Sequence, residues 1–362
     1  MRRFIMAALA TGLGAALSVP AAAAASASVA ATIVVGPGQS IQAAVNQANP
    51  GDTVLIKPGV YHQTVQIRTD GITLRGSGDF PGGTVLEPPA SPPKTLCNRL
   101  NGPTGVCILA TRLNPKTGAV ITPVTHDTVT ALMVTGMPAS GVFGYGTDNL
   151  VVTRVAAVDD GAYGISRFVS TDSVFANDTA IGNTEAGFYV GDSPLAYSVV
   201  RDDRASGNQF GIFIRHARHV IVEGNHLQGN CQGVLVLDDG QPGGAGNATI
   251  EHNSVTRNNK SCPASQETPA LQGGGILLLG ATRTLVAGNS VAGNTGTQLN
   301  SGGIVVASAK GLTGGSDPNF DTIARNTAFR DHPADLLWDG TGTGVTFTGN
   351  HCTTSLPPGL CH

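Results

Sequence analysis

The chain has 362 residues, a formal charge of −3, only 12% charged residues and 49 glycines. So small an acidic charge excludes the broad basic footprint of a nucleic-acid-binding protein. The glycines follow neither the collagen period nor low-complexity blocks, which excludes a triple helix and a disordered chain.

At the start, Arg2 and Arg3 precede an apolar run from Phe4 to Val19 and the tract PAAAAASASVA, with several Ala-x-Ala cleavage points. This is the pattern of a secretory signal peptide over residues 1–30, cleaved at about 25–31. The run is shorter than the ~20 residues of a spanning helix. A secreted, extracellular monomer with no membrane anchor after cleavage is expected, and losing two arginines takes its charge from −3 to −5. Residues 31–362 are expected to form a single domain.

Further on, the chain repeats. A glycine followed by a short alternating run recurs at Gly141, Gly164, Gly187, Gly211, Gly233, Gly275 and Gly303. The first four intervals are 23, 23, 24 and 22 residues, and the later ones stretch to 42 and 28. The excess falls in Gly/Pro/Ser-rich text, so inserted loops are expected near 88–125, 240–274 and 310–320.

Each phrase is followed by a five-residue asparagine step, as in GNHLQGN from Gly224 to Asn230. One column reads Asp178, Asp203, Asn225, Asn253, Asn289, Asn326 and Asn350. The second reads Asn183, Asn208, Asn230, Asn258, Asn294 and Asp331, with Asp160 ahead of it. Short strands at this period, without helical patterning or the fixed leucines of a leucine-rich repeat, describe a coil of parallel strands. Rungs of such a coil stack ~4.8 Å apart, so amides in one column can bond to the rungs above and below. The asparagines are expected to turn the chain at corners and to satisfy one another.

With the opening GPGQSIQAAVNQANPGDTVLIKPGVYHQTVQI, these rungs and ladders resemble secreted right-handed parallel β-helix proteins of the pectin lyase-like superfamily, over about residues 32–351. The resemblance implies an all-β, right-handed parallel β-helix solenoid with a short N-terminal capping helix. Ser40 to Asn49 suits that helix, with Ser40 as N-cap and Ile41, Ala44, Val45 and Ala48 on one face. It also implies a carbohydrate-active protein, a lyase or hydrolase of an acidic polysaccharide. A noncatalytic polysaccharide-binding or cell-surface module is the alternative. Soft-ligand clusters, which copper-handling relatives would require, are missing.

Six cysteines allow 15 pairings. Local neighbours give Cys97 with Cys107, Cys231 with Cys262 and Cys352 with Cys361, and no zinc-site spacing competes.

Two outward columns could carry chemistry. Two residues after the glycines stand Phe143, Ser166, Tyr189, Phe213, Leu235, Leu277 and Val305. An apolar outer face is either a stacking platform for sugar rings or a surface covered by the long loops. In the first case Phe143, Tyr189 and Phe213 bind substrate, Tyr163 and Arg167 extend the groove, and Arg218 adds charge for an anionic chain.

Five after the glycine, Asp192, His216 and Asp238 fall in line on successive rungs. Two acids ~10 Å apart approach the separation used by inverting glycosidases. Alternatively Asp192, Asp238 and Asp239 hold Ca²⁺, with Arg215 or His216 as the base of a β-elimination.

Overall fold

Alternation along each glycine phrase sends every second side chain into the coil. In the computed structural model, which describes residues 30–265 and 268–361, Ile165, Phe188, Ile212, Val234, Ile276, Ile304 and Leu336 form one fully buried inward column. Consecutive members pair in register. Residues 1–29, nearly all of the expected signal peptide, lie outside the described residues.

Among the described residues, one sheet has 11 strands, running from Val65–Ile67 to Ser355–Leu356, and another of 21 strands supplies the remaining walls. The rung pairings are parallel throughout. The hairpin of Arg112–Leu113 with Val120–Thr122 is the antiparallel pair of strands. That hairpin and the helix Leu96–Leu100 flank a rung strand, Val106–Leu109, inside the stretch 88–125. At the open end Ser40 Oγ accepts from the Ala43 N–H, and helix Ile41–Gln47 buries Ile41, Ala44 and Val45. Cys97–Cys107, Cys231–Cys262 and Cys352–Cys361 are bonded as expected.

Both ladders exist. Asn183, Asn208, Asn230 and Asn258 each donate an Nδ2–H to the Oδ1 of the next rung at 2.9–3.0 Å, and Asn294 donates to Asp331 Oδ1 at 2.9 Å. The other column runs likewise from Asn225 to Asn350. Every Oδ1 also accepts a backbone N–H from the preceding rung, as from Asn208 to Asn230 at 3.0 Å. The bend itself is made one residue earlier: Gly182, Gly207, Gly229, Arg257 and Gly293 all have left-handed φ.

The acidic members work differently. Asp203 Oδ1 accepts the Asp178 N–H at 2.8 Å, while its Oδ2 is buried without a partner where asparagine would carry its amide donor. Burial pushes the Asp203 carboxyl up to about 8, against the hydrogen bond from Asp178 and with repulsion from Asp202. Burial raises Asp178 as well. A protonated Asp203 supplies the O–H that the ladder needs.

The outer face of the eleven-stranded sheet is largely covered. Cys97, Cys107, Leu109 and Phe143 bury one another under the helix Leu96–Leu100. Further along, Phe213, Leu235, Leu277 and Val305 pack with Cys262, Leu271 and Ala309 from the two later loops.

Two consequences are measurable. The folded Asp203 keeps its proton above the unfolded value near 4, so its contribution is full at low pH and is lost as pH rises towards about 8. Asp203→Asn, which supplies a donor at every pH, should melt above the parent at about pH 8 and converge with it near pH 4. Identical melts at both values would show that the acid is not a protonated ladder member. Asn253→Ala leaves buried ladder partners unmet and should cost about 1–3 kcal/mol in denaturant unfolding.

Candidate functional site

Between the two covers the face of the eleven-stranded sheet stays partly open. Outward positions two and four after the glycine place Ser166 and Phe168 on one strand, Tyr189 and Gly191 on the next, and Phe213 and Arg215 on the third, in register. Rings run continuously along this strip. Phe168 and Tyr163 both pack on Tyr189 with centroids 4.6 Å apart, and Phe213 meets Tyr189 edge-on at 5.4 Å. Tyr163 Oη donates to Glu185 Oε1 at 2.7 Å.

Gly191 decides how Tyr189 lies. A Cβ there would come within 2.2 Å of the Tyr189 ring and hydroxyl, so the phenol lies flat across the glycine. This carries its hydroxyl towards Arg215 and Asp192. Burial, then the charge of Asp192, raises the Tyr189 hydroxyl far above its usual range, with Arg215 pulling the other way. It therefore stays protonated at neutral pH.

Arg215 Nε donates to Asp239 Oδ2 at 3.0 Å, with the guanidinium 42% exposed and the carboxylate 4%. Burial opposes the Arg215 charge, but Tyr189, Asp239 and Asp192 outweigh it and hold the group cationic. Burial also works against the Asp239 charge, but hydrogen bonds from Gln241 and Arg215 prevail and keep its carboxyl below the usual range.

The column five after the glycine is a corner: Gly146, Val169, Asp192, His216 and Gly280 all take left-handed φ. Asp192 and His216 meet there, with Nδ1 3.4 Å from Asp192 Oδ1. His216 Nε2 donates to the Pro242 carbonyl at 2.7 Å, which leaves Nδ1 facing the acid. The ring is nearly buried, whereas Asp192 is 38% exposed.

Several expectations need correcting. Asp238 keeps its place in line, but its carboxylate accepts from Gly240 N, Ser316 N and Ser316 Oγ at 2.6–3.0 Å, clamping the 310–316 loop. Both of its carboxylate oxygens are thus engaged by backbone and loop groups. Asp239 is likewise committed to Arg215, whose charge repels a cation. Among the described residues, the three carboxylate and imidazole groups whose ligand atoms all lie within 4.8 Å of one another are Glu223, Glu251 and His252, on the other sheet.

Phe143 and Phe213, at 4% exposure, and Tyr189, at 2%, are packed away rather than presented as a platform. Arg167, third after its glycine, points inward and is fully buried, with Nη1 on Ser193 Oγ and Nη2 on the Ala196 carbonyl. It extends no groove. Arg218 Nη1 holds the Gly243 carbonyl at 3.1 Å, beside the His216 contact to Pro242. Position four supplied what the expected set lacked: Phe168 and Gly191, with Tyr145 one rung before them. Reading that column alongside position two would have found them.

A profile described as right handed beta helix region matches residues 140–313. Among curated proteins, none matches the sequence. Solved structures do resemble it. The A-module of the mannuronan C-5 epimerase AlgE6 from Azotobacter vinelandii is 18% identical, with a TM-score of 0.56 over 87% of this chain and 92% of that one. An alginate lyase from Paenibacillus sp. str. FPU-7 is 18% identical, with a TM-score of 0.59 over 86% and 99%. DFA-IIIase from Arthrobacter chlorophenolicus A6, without its lid, is 12% identical, with a TM-score of 0.53 over 85% and 87%. The fold is thus a right-handed parallel β-helix.

Asp238→Ala should lower the denaturation midpoint by the loss of a loop clamp, about 1–3 kcal/mol. An unchanged midpoint would return Asp238 to the reactive group.

Proposed function

We propose that this chain acts on an acidic polysaccharide as a lyase, removing the proton on the carbon beside a uronate carboxylate. The observation that carries the reading is Arg215: a half-exposed guanidinium held by Asp239, between Tyr189 and Asp192, in the gap between two covers. A fixed cation there binds the substrate carboxylate and stabilises the charge that develops when the neighbouring proton leaves. Asp192 is the exposed base, with His216 Nδ1 behind it to share the proton.

The carbanion electrons form a C=C bond, and the glycosidic C–O bond one carbon away breaks. The departing oxygen takes a proton from solvent water at the open strip, and Tyr189, buried beneath it, supports Arg215. Tyr163, half-buried on the same strip, lines the approach. The alginate-acting neighbours agree with a uronate substrate. Three disulfides suit a protein that works outside the reducing cytoplasm.

The test is to incubate the purified chain with a panel of uronate polymers and follow the ultraviolet absorbance of unsaturated ends. A rise that persists in chelator is expected, with Arg215→Met slower by about 100-fold or more and Gly191→Ala also impaired through displacement of Tyr189. A flat trace with uptake of solvent deuterium at the carbon beside the carboxylate would change the reaction to epimerisation. Binding without either product would leave a noncatalytic polysaccharide-binding module.

A further inference from the structure

Four glutamines at the N-terminal end have their side-chain oxygens fixed by backbone N–H groups. Gly36 donates to Gln39 at 2.6 Å, Gln66 to Gln42 at 2.7 Å, Ile41 to Gln63 at 2.9 Å and Cys97 to Gln66 at 3.2 Å. An amide whose oxygen is fixed has its NH₂ aimed. Gln42 spends its NH₂ on Asn46 Oδ1 and the Gln66 carbonyl, and Gln63 spends its own on the Gln39 carbonyl. Gln39, Gln66 and Asn46 make no hydrogen bond through theirs among the described residues.

These three line one cleft of 560 Å³, between the helix Ile41–Gln47 and the segment carrying Pro89 and Pro93. Gln66 stands in the same outward row as Cys107 and Phe143. The cleft therefore lies on the same sheet face as Arg215, but beyond the Cys97–Cys107 cover. No lysine, arginine or acid lines it, and its one histidine, His62, sits 3.4 Å from Glu87.

We infer that this cleft binds a neutral saccharide, separately from the Arg215 site. Aimed NH₂ donors without a cation favour uncharged acceptors such as sugar hydroxyls, and proline rings offer an apolar wall to the C–H face of a sugar. The volume lies within the ~300–1,000 Å³ of small-ligand sites. An extended peptide is the less suited occupant, because the donors are side-chain amides in a bowl rather than a strand edge.

The experiment is calorimetric titration of the whole chain with neutral oligosaccharides, including glucans, mannans, galactans and fructans. Uronate oligomers and a proline-rich peptide serve as competitors for the assignment. Asn46→Asp and Gln66→Glu retain the accepting oxygen and remove the donor. Asn46 is exposed, so its variant keeps the fold.

Saturable binding of at least one neutral sugar, weakened about tenfold or more in both variants, is expected. Melting temperature and any turnover of uronate polymers should be unchanged. No saturable neutral ligand, equal binding by the variants, or binding of the uronate or peptide alone would each overturn the inference. None of these outcomes depends on whether the chain is a lyase.

Discussion

The structure depends on one interaction, the side-chain amide that bonds to the same amide one rung away. A buried Nδ2–H or Oδ1 left without a partner costs more than a made bond gains, and the ladder positions are buried throughout. No rung can therefore slip by a residue without breaking bonds to both neighbours. The left-handed residue ahead of each asparagine bends the backbone, and the asparagine then locks that bend to the next turn of the coil. In-register columns of every kind, inward, outward and at the corners, follow from this lock.

Register of that quality creates a difficulty on the outside. An apolar outward column repeated over many rungs, left bare, would be an exposed sticky stripe. Three insertions cover it, one tied by Cys97–Cys107, one by Cys231–Cys262 and one that brings in Ala309. The candidate site is what lies between the two covers they make. Its shape is set as much by where the covers stop as by the strands that form its floor.

The coil, its ladders, the cap and the disulfide pairs were legible because each follows from period and column, which a sequence displays directly. The site was legible only in part. Asp192 with His216 came from one column and Arg215 from the same strand, and the structure brings these together. Asp238 shows why the rest was hidden: its partner Ser316 lies 78 residues away, in an insertion whose path no period fixes. The fate of Phe143 and Phe213 likewise turned on loops rather than strands. Arg167 was different, since alternation alone places position three inside. Its charge suggested a ligand, whereas the backbone had already assigned it to the core.

That interior arginine explains how an uncovered site stays ordered. Gly144 pairs with Arg167 one rung earlier, where a Cβ would crowd Leu150 at 3.0 Å and Thr147 at 3.3 Å. The guanidinium then spans to Ser193 Oγ and the Ala196 carbonyl, on either side of Pro194 and Leu195. Burial pulls its pKa down to about 9, partly offset by Asp172, so the group remains charged at neutral pH. Ser193 Oγ in turn donates to the Gly191 carbonyl at 2.7 Å. Asp192 lies between Gly191 and Ser193, so Arg167 braces its corner from inside the coil while His216 meets its carboxylate from the next rung. The Asp192 backbone is thus braced from inside the coil and its carboxylate met from the next rung, which is the kind of preorganisation that the proposed proton transfer would use.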